Sequence, residues 1–570
     1  MPWGPEAFAR ATAEDKPILL SISAVWCHWC HVMDETSYSD AAVIETINRR
    51  YVPVRVDNDR RPDVNARYNM GGWPTTAFLA ADGATLTGAT YIPPAQMRRA
   101  LDEVADFYVA HKNEIPQRVA AGDRVAGRTP PSPELGDAAI ERFVEARSRE
   151  FDDLYGGFGD EPKFPQPELL EFLVARWRLT GDRRAYEMAA RTITAMGRGG
   201  MYDHVEGGFF RYSTTRDWSV PHFEKMAEDH AGLIRVLAWL VLLAPTPEFH
   251  ATLASALRYV RTVLYDPQGG FFAGSQDADE VYYALPQEER RAREAPYVDR
   301  TSYTNWTCAL AGAQCLAARA LEDDEALAQA LRTLDNVNAR LLDTNGLVYH
   351  VLEPGVAPDV GGLLADQVAY LGALLDAHEV SGEERFLRRA GAIAGGVLAH
   401  FAAEDSGFYD RLPSDDALGR LALRDRPIGD NGLLAEALLR LAALTGQSEY
   451  RAQALGVLQL FAATLDGAGA FAASYARALQ RYLAPDMSLR IVGDAAQTDA
   501  FREAALRLPS PCAIRTVAPA EAPGLGLPFD PHPAAYLCIG TTCAAPVRDA
   551  ADLRDAYDSL GSDRAPQGRT

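Results

Sequence analysis

The chain has 570 residues, 48% of them hydrophobic and 24% charged, and its 56 Lys and Arg against 78 Asp and Glu give a net charge of −22. Its length is enough for three or four domains, and its ordinary globular composition excludes wholesale disorder. So acidic a surface repels a nucleic-acid backbone, which excludes that class of partner.

The basic residues are almost all Arg, with Lys only at 16, 112, 163 and 225, the bias expected of a GC-rich bacterial genome. The most apolar stretch, 231–245, is interrupted by Arg235 and is too short for about 30 Å of hydrocarbon, so no membrane span is expected. The N-terminus has no apolar signal core. Seven cysteines are too few for a disulfide scaffold, and the expectation is a cytoplasmic protein with reduced thiols.

Residues 5–13 read as a short helix and 17–23 as a buried strand leading into Cys27-His28-Trp29-Cys30. A helical stretch to Arg50, a strand at 51–57, a short helix at 62–68, a strand from 71–80 turned by Asp82-Gly83, and a helix over 93–111 follow. A Cys-x-x-Cys between the first strand and its helix is a redox arrangement: Cys27 at a helix N-terminus is favoured as thiolate, and Cys30 can resolve a mixed disulfide. Pro74 resembles the cis-proline that faces the cysteine pair in thioredoxin folds, with Trp26 and Trp73 as flanking contact residues. The first strand carries no carboxylate to shuttle the resolving proton. A cationic His28 or His31 beside the thiolate predicts a reduction potential above the roughly −270 mV of thioredoxin.

Three other readings compete at this motif. Cys27 to His31 matches a haem-attachment pattern, but it follows a strand rather than standing in a helical setting. Zinc would need four ligands to converge within one helical turn. A thioredoxin domain kept only for docking is the third.

Residues 122–137, rich in Pro, Gly and charge, read as a linker between a module at 1–121 and a helical region at 138–484. Twelve segments there have helical apolar spacing, joined alternately by short and long connections. Six of the long connections carry a variant of acidic-x-Gly-Gly-aromatic, as in 152–160, 203–213 and 265–277. Six helical hairpins with all long loops on one side predict a closed double ring, an (α/α)6 barrel similar to those of glycosidases and N-acylglucosamine 2-epimerase-like enzymes. Residues 485–570 return to an α/β pattern and are expected to pack on a flank of the other domains. Cys538 and Cys543 are read there as incidental core thiols, with exchange with Cys27 as the alternative.

The densest polar loop is 201–230. Asp203, His204, His222 and Glu224 are its candidate acid–base residues, and Arg211, Tyr212 and Trp218 its candidate ligand contacts. Asp277, Asp279, Asp366, Asp430 and Asn431 are further loop-side candidates for binding a neutral carbohydrate. The bland alternatives are helix caps for Asp366 and Asp430 and a first-turn ion pair for Glu224 and Lys225. No cofactor or metal is expected. A protein thiol or disulfide client is the second expected partner.

The segments WGPEAF (3–8), CHWCHVM (27–33), VDNDRRPDVNARY (56–68), GGWPTTAFL (71–79), GGFGDEPKFP (156–165), 201–226 and GDNGLLAEALLRLA (429–442) together closely resemble one family. It is the uncharacterised thioredoxin-domain and six-hairpin glycosidase-like proteins that include the spermatogenesis-associated thioredoxin-like protein of animals. The resemblance implies the fold and a redox motif but no substrate. After the DAD of 277–279 the chain reads EVYYALPQEER and departs from the family pattern, which weakens a role for Asp277 or Asp279.

Overall fold

The computed structural model describes residues 1–114, 135–414, 417–493, 495–527, 532–540 and 542–562. The sequence-predicted linker therefore lies outside the described residues except for 135–137.

The N-terminal module is a four-stranded sheet in the order β2-β1-β3-β4, with β1 Ile18–Ser23, β2 Val52–Asp57, β3 Thr75–Leu79 and β4 Thr85–Ala89. β1 pairs parallel with β2 and antiparallel with β3, the thioredoxin-like topology. All six residues of β1 are buried, because helices cover both faces of a central strand. The helix His28–Glu35 starts directly from β1, with Cys27 as its N-cap.

The twelve sequence-predicted helices are all present. Those at Pro167–Thr180, Ala227–Leu243, Thr304–Leu321, Leu364–Ser381, Ile428–Thr445 and Ala473–Leu483 pack side by side as an inner ring, closed by the last against the first. The outer helices Asp137–Glu150, Arg183–Arg198, Pro247–Tyr259, Asp324–Arg340, Glu384–His400 and Ser448–Phe461 surround it. Every long connection runs from an outer helix to the N-terminus of an inner one, so all six inner N-termini share one rim.

The glycine loops are held by a repeated device. The fourth residue of an inner helix bonds the backbone of the apolar residue that follows the loop's glycine turn. His230 Nε2 accepts from Phe209 N at 2.9 Å, and Thr307 donates to Phe272 O at 3.4 Å. Gln367 and Asn431 bond both backbone groups of Val348 and Phe408. The loop acids do related work: Lys163 bonds Asp152 and Gly156 O, and Lys225 bonds Asp203 and Gly207 O, each Lys fully buried. Such pairs persist in the interior because each charge is both neutralised and hydrogen-bonded. Glu224 and Lys225 are thus not a first-turn ion pair; they precede the helix, and Lys225 turns away to Asp203.

The C-terminal sheet, in the order Ala513–Val517, Met487–Val492, Ala534–Ile539, Thr542–Cys543, covers the short-loop end of the barrel, where Arg178 donates to Leu506 O and Leu508 O. Cys538 and Cys543 face each other across its edge pair and form a disulfide. This corrects the expectation of two incidental core thiols: the hairpin register sets the pair opposite, and Cys543 is exposed.

The N-terminal module docks on the long-loop rim. Its core cluster takes in Leu421 and Leu418 of the barrel. Asp63 pairs with Arg411 and Arg67 with Asp410 at 2.7 Å. His350 Nε2 contacts Asp59 O at 2.7 Å while its Nδ1 meets Asp366 at 2.8 Å.

Gly208 (φ +85) has no room for a side chain, since a Cβ would come within 2.8 Å of Tyr259 and His230, whereas Gly346 (φ +75) meets nothing within 4 Å. Gly346→Ala is expected to cost about 1–2 kcal/mol from backbone conformation alone. Gly208→Ala is expected to cost distinctly more, read as a lower urea midpoint for the barrel.

Candidate active site

The Cys27–Cys30 disulfide sits at the junction of the two modules. Cys30 N donates to Cys27 Sγ at 3.2 Å and to Cys27 O at 2.9 Å, so the helix terminus directs its free N–H groups at the sulfur that would carry thiolate. Cys27 is 4% exposed and Cys30 1%. They cluster with Trp26 and Trp73 of their own module and with Met226 and Trp306 of the barrel. Pro74 follows a cis peptide bond. The disulfide is therefore packed against the barrel rather than exposed to bulk solvent.

Trp26 is buried and donates to Asp59 Oδ2 at 2.6 Å, while Asn58 Nδ2 bonds the other oxygen at 2.6 Å. Burial, reinforced by Asp57, pushes the Asp59 carboxyl up to about 8. A buried carboxyl under Trp26, next in sequence to Cys27, is thus supplied by the turn after β2 and not by β1. Arg211 reaches from the barrel over Trp26 at 4.0 Å and Trp73 at 5.2 Å, a cation–π stack across the junction.

Below the cysteines lies an acidic cup made by the first turns of the inner helices. Glu168, Glu228, Asp229, Asp366 and Asp430 occupy second or third helical positions. Glu168 and Glu228 are reached by solvent yet ringed by protein. Burial raises the Glu168 carboxyl. Burial and then Glu168 push Glu228 to about 7; burial and then Glu228 push Asp229 to about 8; burial and then Asp410 push Asp430 to about 6. The carboxylates of Asp229 and Asp430 make no hydrogen bond to the described residues, unlike the loop acids, so they are available to a ligand. Glu168 and Glu228 escape the sequence reading because a first-turn acid is also the ordinary complement to a helix dipole, and Asp229 enters it only as one member of the polar loop 201–230.

The sequence-selected candidates divide. His222 Nδ1 bonds Glu224 at 2.8 Å and its ring stacks on Tyr212, which stacks on Phe164. Asp277, raised by burial, interacts electrostatically with His31, Glu224 and His28. This brings the 222–224 pair, Asp277 and the CxxC histidines into one neighbourhood. Asp430 faces the cup.

Others are committed to scaffolding. Lys225 and Arg290 hold the Asp203 carboxyl below the usual range against burial, and its oxygens also accept Val205 N and Glu206 N. Trp218 is fully buried and donates to Tyr155 O and Gly156 O. Asp279 caps a short helix at Tyr282 N, and exposed His204 contacts Gly199 O. Asn431 clamps its loop. Asp366 bonds His350 and Asn305 N rather than capping its own helix.

The fold defines a thioredoxin-like module seated on the mouth of a barrel of six helical hairpins, with a small C-terminal α/β sheet. Residues 1–122 match the family model Thioredox_DsbH, described as a protein of unknown function, DUF255. The chain is similar to spermatogenesis-associated protein 20 of Homo sapiens, 37% identical over 328 residues that make up 52% of this chain and 40% of that protein. The Mus musculus protein of that name is 36% identical over 326 residues, 52% of this chain and 40% of its own length. The chain thus spans two fifths of the length of these relatives. Among solved structures, a sugar epimerase from a ruminal bacterium aligns with TM-score 0.47 and 13% identity, over 57% of this chain and 86% of that one. A family 76 glycoside hydrolase (mannosidase) from Bacteroides thetaiotaomicron aligns with TM-score 0.43 and 14% identity, over 60% and 98%.

The raised carboxyls carry a pH dependence. An unfolded carboxyl releases its proton near pH 4, while Asp229 in the folded protein keeps it to about 8. Between those values the folded state binds the extra proton, so stability falls as pH rises through the window and levels off above it. Asp229→Asn is expected to raise Tm at pH 8 and to flatten the decline between pH 5 and 8, measured by thermal melts.

Proposed function

We propose that this protein is a thiol–disulfide oxidoreductase whose Cys27–Cys30 pair acts on small disulfide or thiol ligands held in the barrel mouth. The observation that carries this reading is the single apolar cluster that holds both cysteines together with Met226 of the barrel, with Trp306 packed against it. In the reduced protein, Cys27 thiolate attacks a ligand disulfide, forming a mixed disulfide and releasing one thiol. Cys30 then displaces the second thiol and closes the Cys27–Cys30 disulfide. The acid cup and the Phe164–Tyr212–His222 ladder suit a carbohydrate-bearing or amine-bearing ligand: carboxyls accept from hydroxyls and ammonium groups, and stacked rings offer a face to a sugar. Glu228 and Asp229, held near neutrality, fit acid–base exchange with such a ligand. A cytoplasmic setting, where low-molecular-weight thiols abound, is part of the same reading.

The second reading is a redox-sensing, client-binding protein without turnover. Its redox-sensing form is favoured by the near-complete burial of both cysteines, which slows access of any large thiol or disulfide and so disfavours rapid turnover.

Hydroxyethyl disulfide and insulin, each with a dithiothreitol supply, separate the readings. Turnover of hydroxyethyl disulfide well above insulin, lost in Cys27→Ser and kept in Cys538→Ser/Cys543→Ser, is the expected result. Equal rates in wild type and Cys27→Ser would defeat the oxidoreductase reading. A glutathione titration is expected to place the pair above about −270 mV. Screening plain and N-acetylated sugars for epimerisation or hydrolysis, with His222→Ala, Glu224→Gln and Asp229→Asn as controls, tests the barrel.

A further inference from the structure

The far end of the barrel, away from the cysteines, holds a second polar chamber. A cavity of about 100 Å³ lies between the inner helices and the C-terminal α/β segment, where Leu506, Cys512 and Ile514 floor it. Three of its arginines are neutralised. Arg235 pairs with Asp376 at 2.5 Å, Arg440 with Asp376 and Glu379 at 2.7 and 3.0 Å, and Arg477 with Glu436 at 2.5 Å and with Glu171. These pairs use all four carboxylates that line the cavity.

Two guanidinium groups remain. Among the described residues Arg178 bonds only the carbonyls of Leu506 and Leu508, and it stacks on Trp239. Arg481 makes no ion pair or hydrogen bond to the described residues, although it lines this cavity and the small adjoining one that also includes Arg451 and Asp486. Five guanidinium groups against four carboxylates leave one positive charge inside the fold. Burial, followed by the nearness of Arg481, pushes Arg178 down to about 10. Burial also holds Arg481 below its ordinary value although Glu379 and Glu436 work against it. An uncompensated interior charge costs several kcal/mol, and a cavity of this size has room for several waters.

We propose that this chamber is a binding site for one small inorganic oxyanion, of the phosphate or sulfate type, held by Arg481 and Arg178. The guanidinium fork matches two oxyanion oxygens at once, and the ion supplies the negative charge that the lining lacks. The site is independent of the redox reading, since it lies at the opposite end of the inner helices.

Thermal melts and calorimetry on the full chain, with inorganic phosphate or sulfate titrated at an ionic strength held constant by chloride, test the site. The expected result is saturable binding of one ion per chain with a rise in Tm. Arg481→Gln should weaken binding by about tenfold or more, the loss of one charge-assisted contact. In chloride alone the same variant should melt higher than wild type, because a lone buried cation is gone; a merely structural arginine would melt lower. Arg481→Lys keeps the charge without the fork, should bind with intermediate affinity, and carries the test if Arg481→Gln does not fold. No phosphate or sulfate binding, or equal affinity in wild type and Arg481→Gln, would overturn the site. Glucose 6-phosphate binding as tightly as phosphate would overturn its assignment to a free ion.

Discussion

Closure of the inner ring is the constraint on which the other features rest. Six helices that bury one face on each other and alternate short with long connections must present all their N-termini at one rim. The glycine loops then need anchoring, because each leaves buried backbone groups beside a helix start. His230, Thr307, Gln367 and Asn431 supply those partners from the same helical position. In these four inner helices position four is therefore structural, while second- and third-position acids such as Glu228, Asp229 and Asp430 line the cup and third-position Asp366 is held by His350.

That geometry explains why the two modules meet at one rim. The rim is both the docking surface for the thioredoxin-like sheet and the edge of the cup, so the helix carrying Cys27 and Cys30 meets Met226 and Trp306 as a consequence of docking. Carboxyls crowded below it repel one another and lose solvation. The result is a group of acids kept protonated to near neutrality, at a cost in stability that scaffold acids such as Asp152 and Asp203 avoid by pairing with buried lysines. A fold that neutralises some acids so closely, yet leaves Asp229 and Asp430 without a hydrogen bond to the described residues, loses stability at neutral pH for keeping them buried.

The two ends of the barrel also differ in sign. The cysteine end has an excess of acid tempered by Arg211, whereas the end closed by the C-terminal sheet has one guanidinium more than its carboxylates can neutralise. Net charge conceals this division, because −22 is a sum over a surface and two interiors with opposite needs.

Much of the architecture was legible in the sequence. Cys27-x-x-Cys30 after an apolar strand, Pro74 before another, and six acidic-Gly-aromatic loops between helical segments specified the thioredoxin-like module and the hairpin count, because local periodicity and turn chemistry are written in adjacent residues. Roles within the loops were not legible in the same way. Asp203 and Asp430 look alike in sequence, yet one is held by Lys225 and Arg290 and the other makes no hydrogen bond to the described residues; Trp218 resembles a sugar platform and is a buried wedge. The Cys538–Cys543 bond, the carboxyl of Asp59 under Trp26, and the meeting of His31 with Asp277 each join residues from separate elements. Sequence by itself determined the modules, the redox motif and the side of the barrel that carries the loops. Tertiary structure alone decided which acids are spent on scaffolding and that the cysteines face the cup, because solvation and charge pairing depend on distances between elements far apart in the chain.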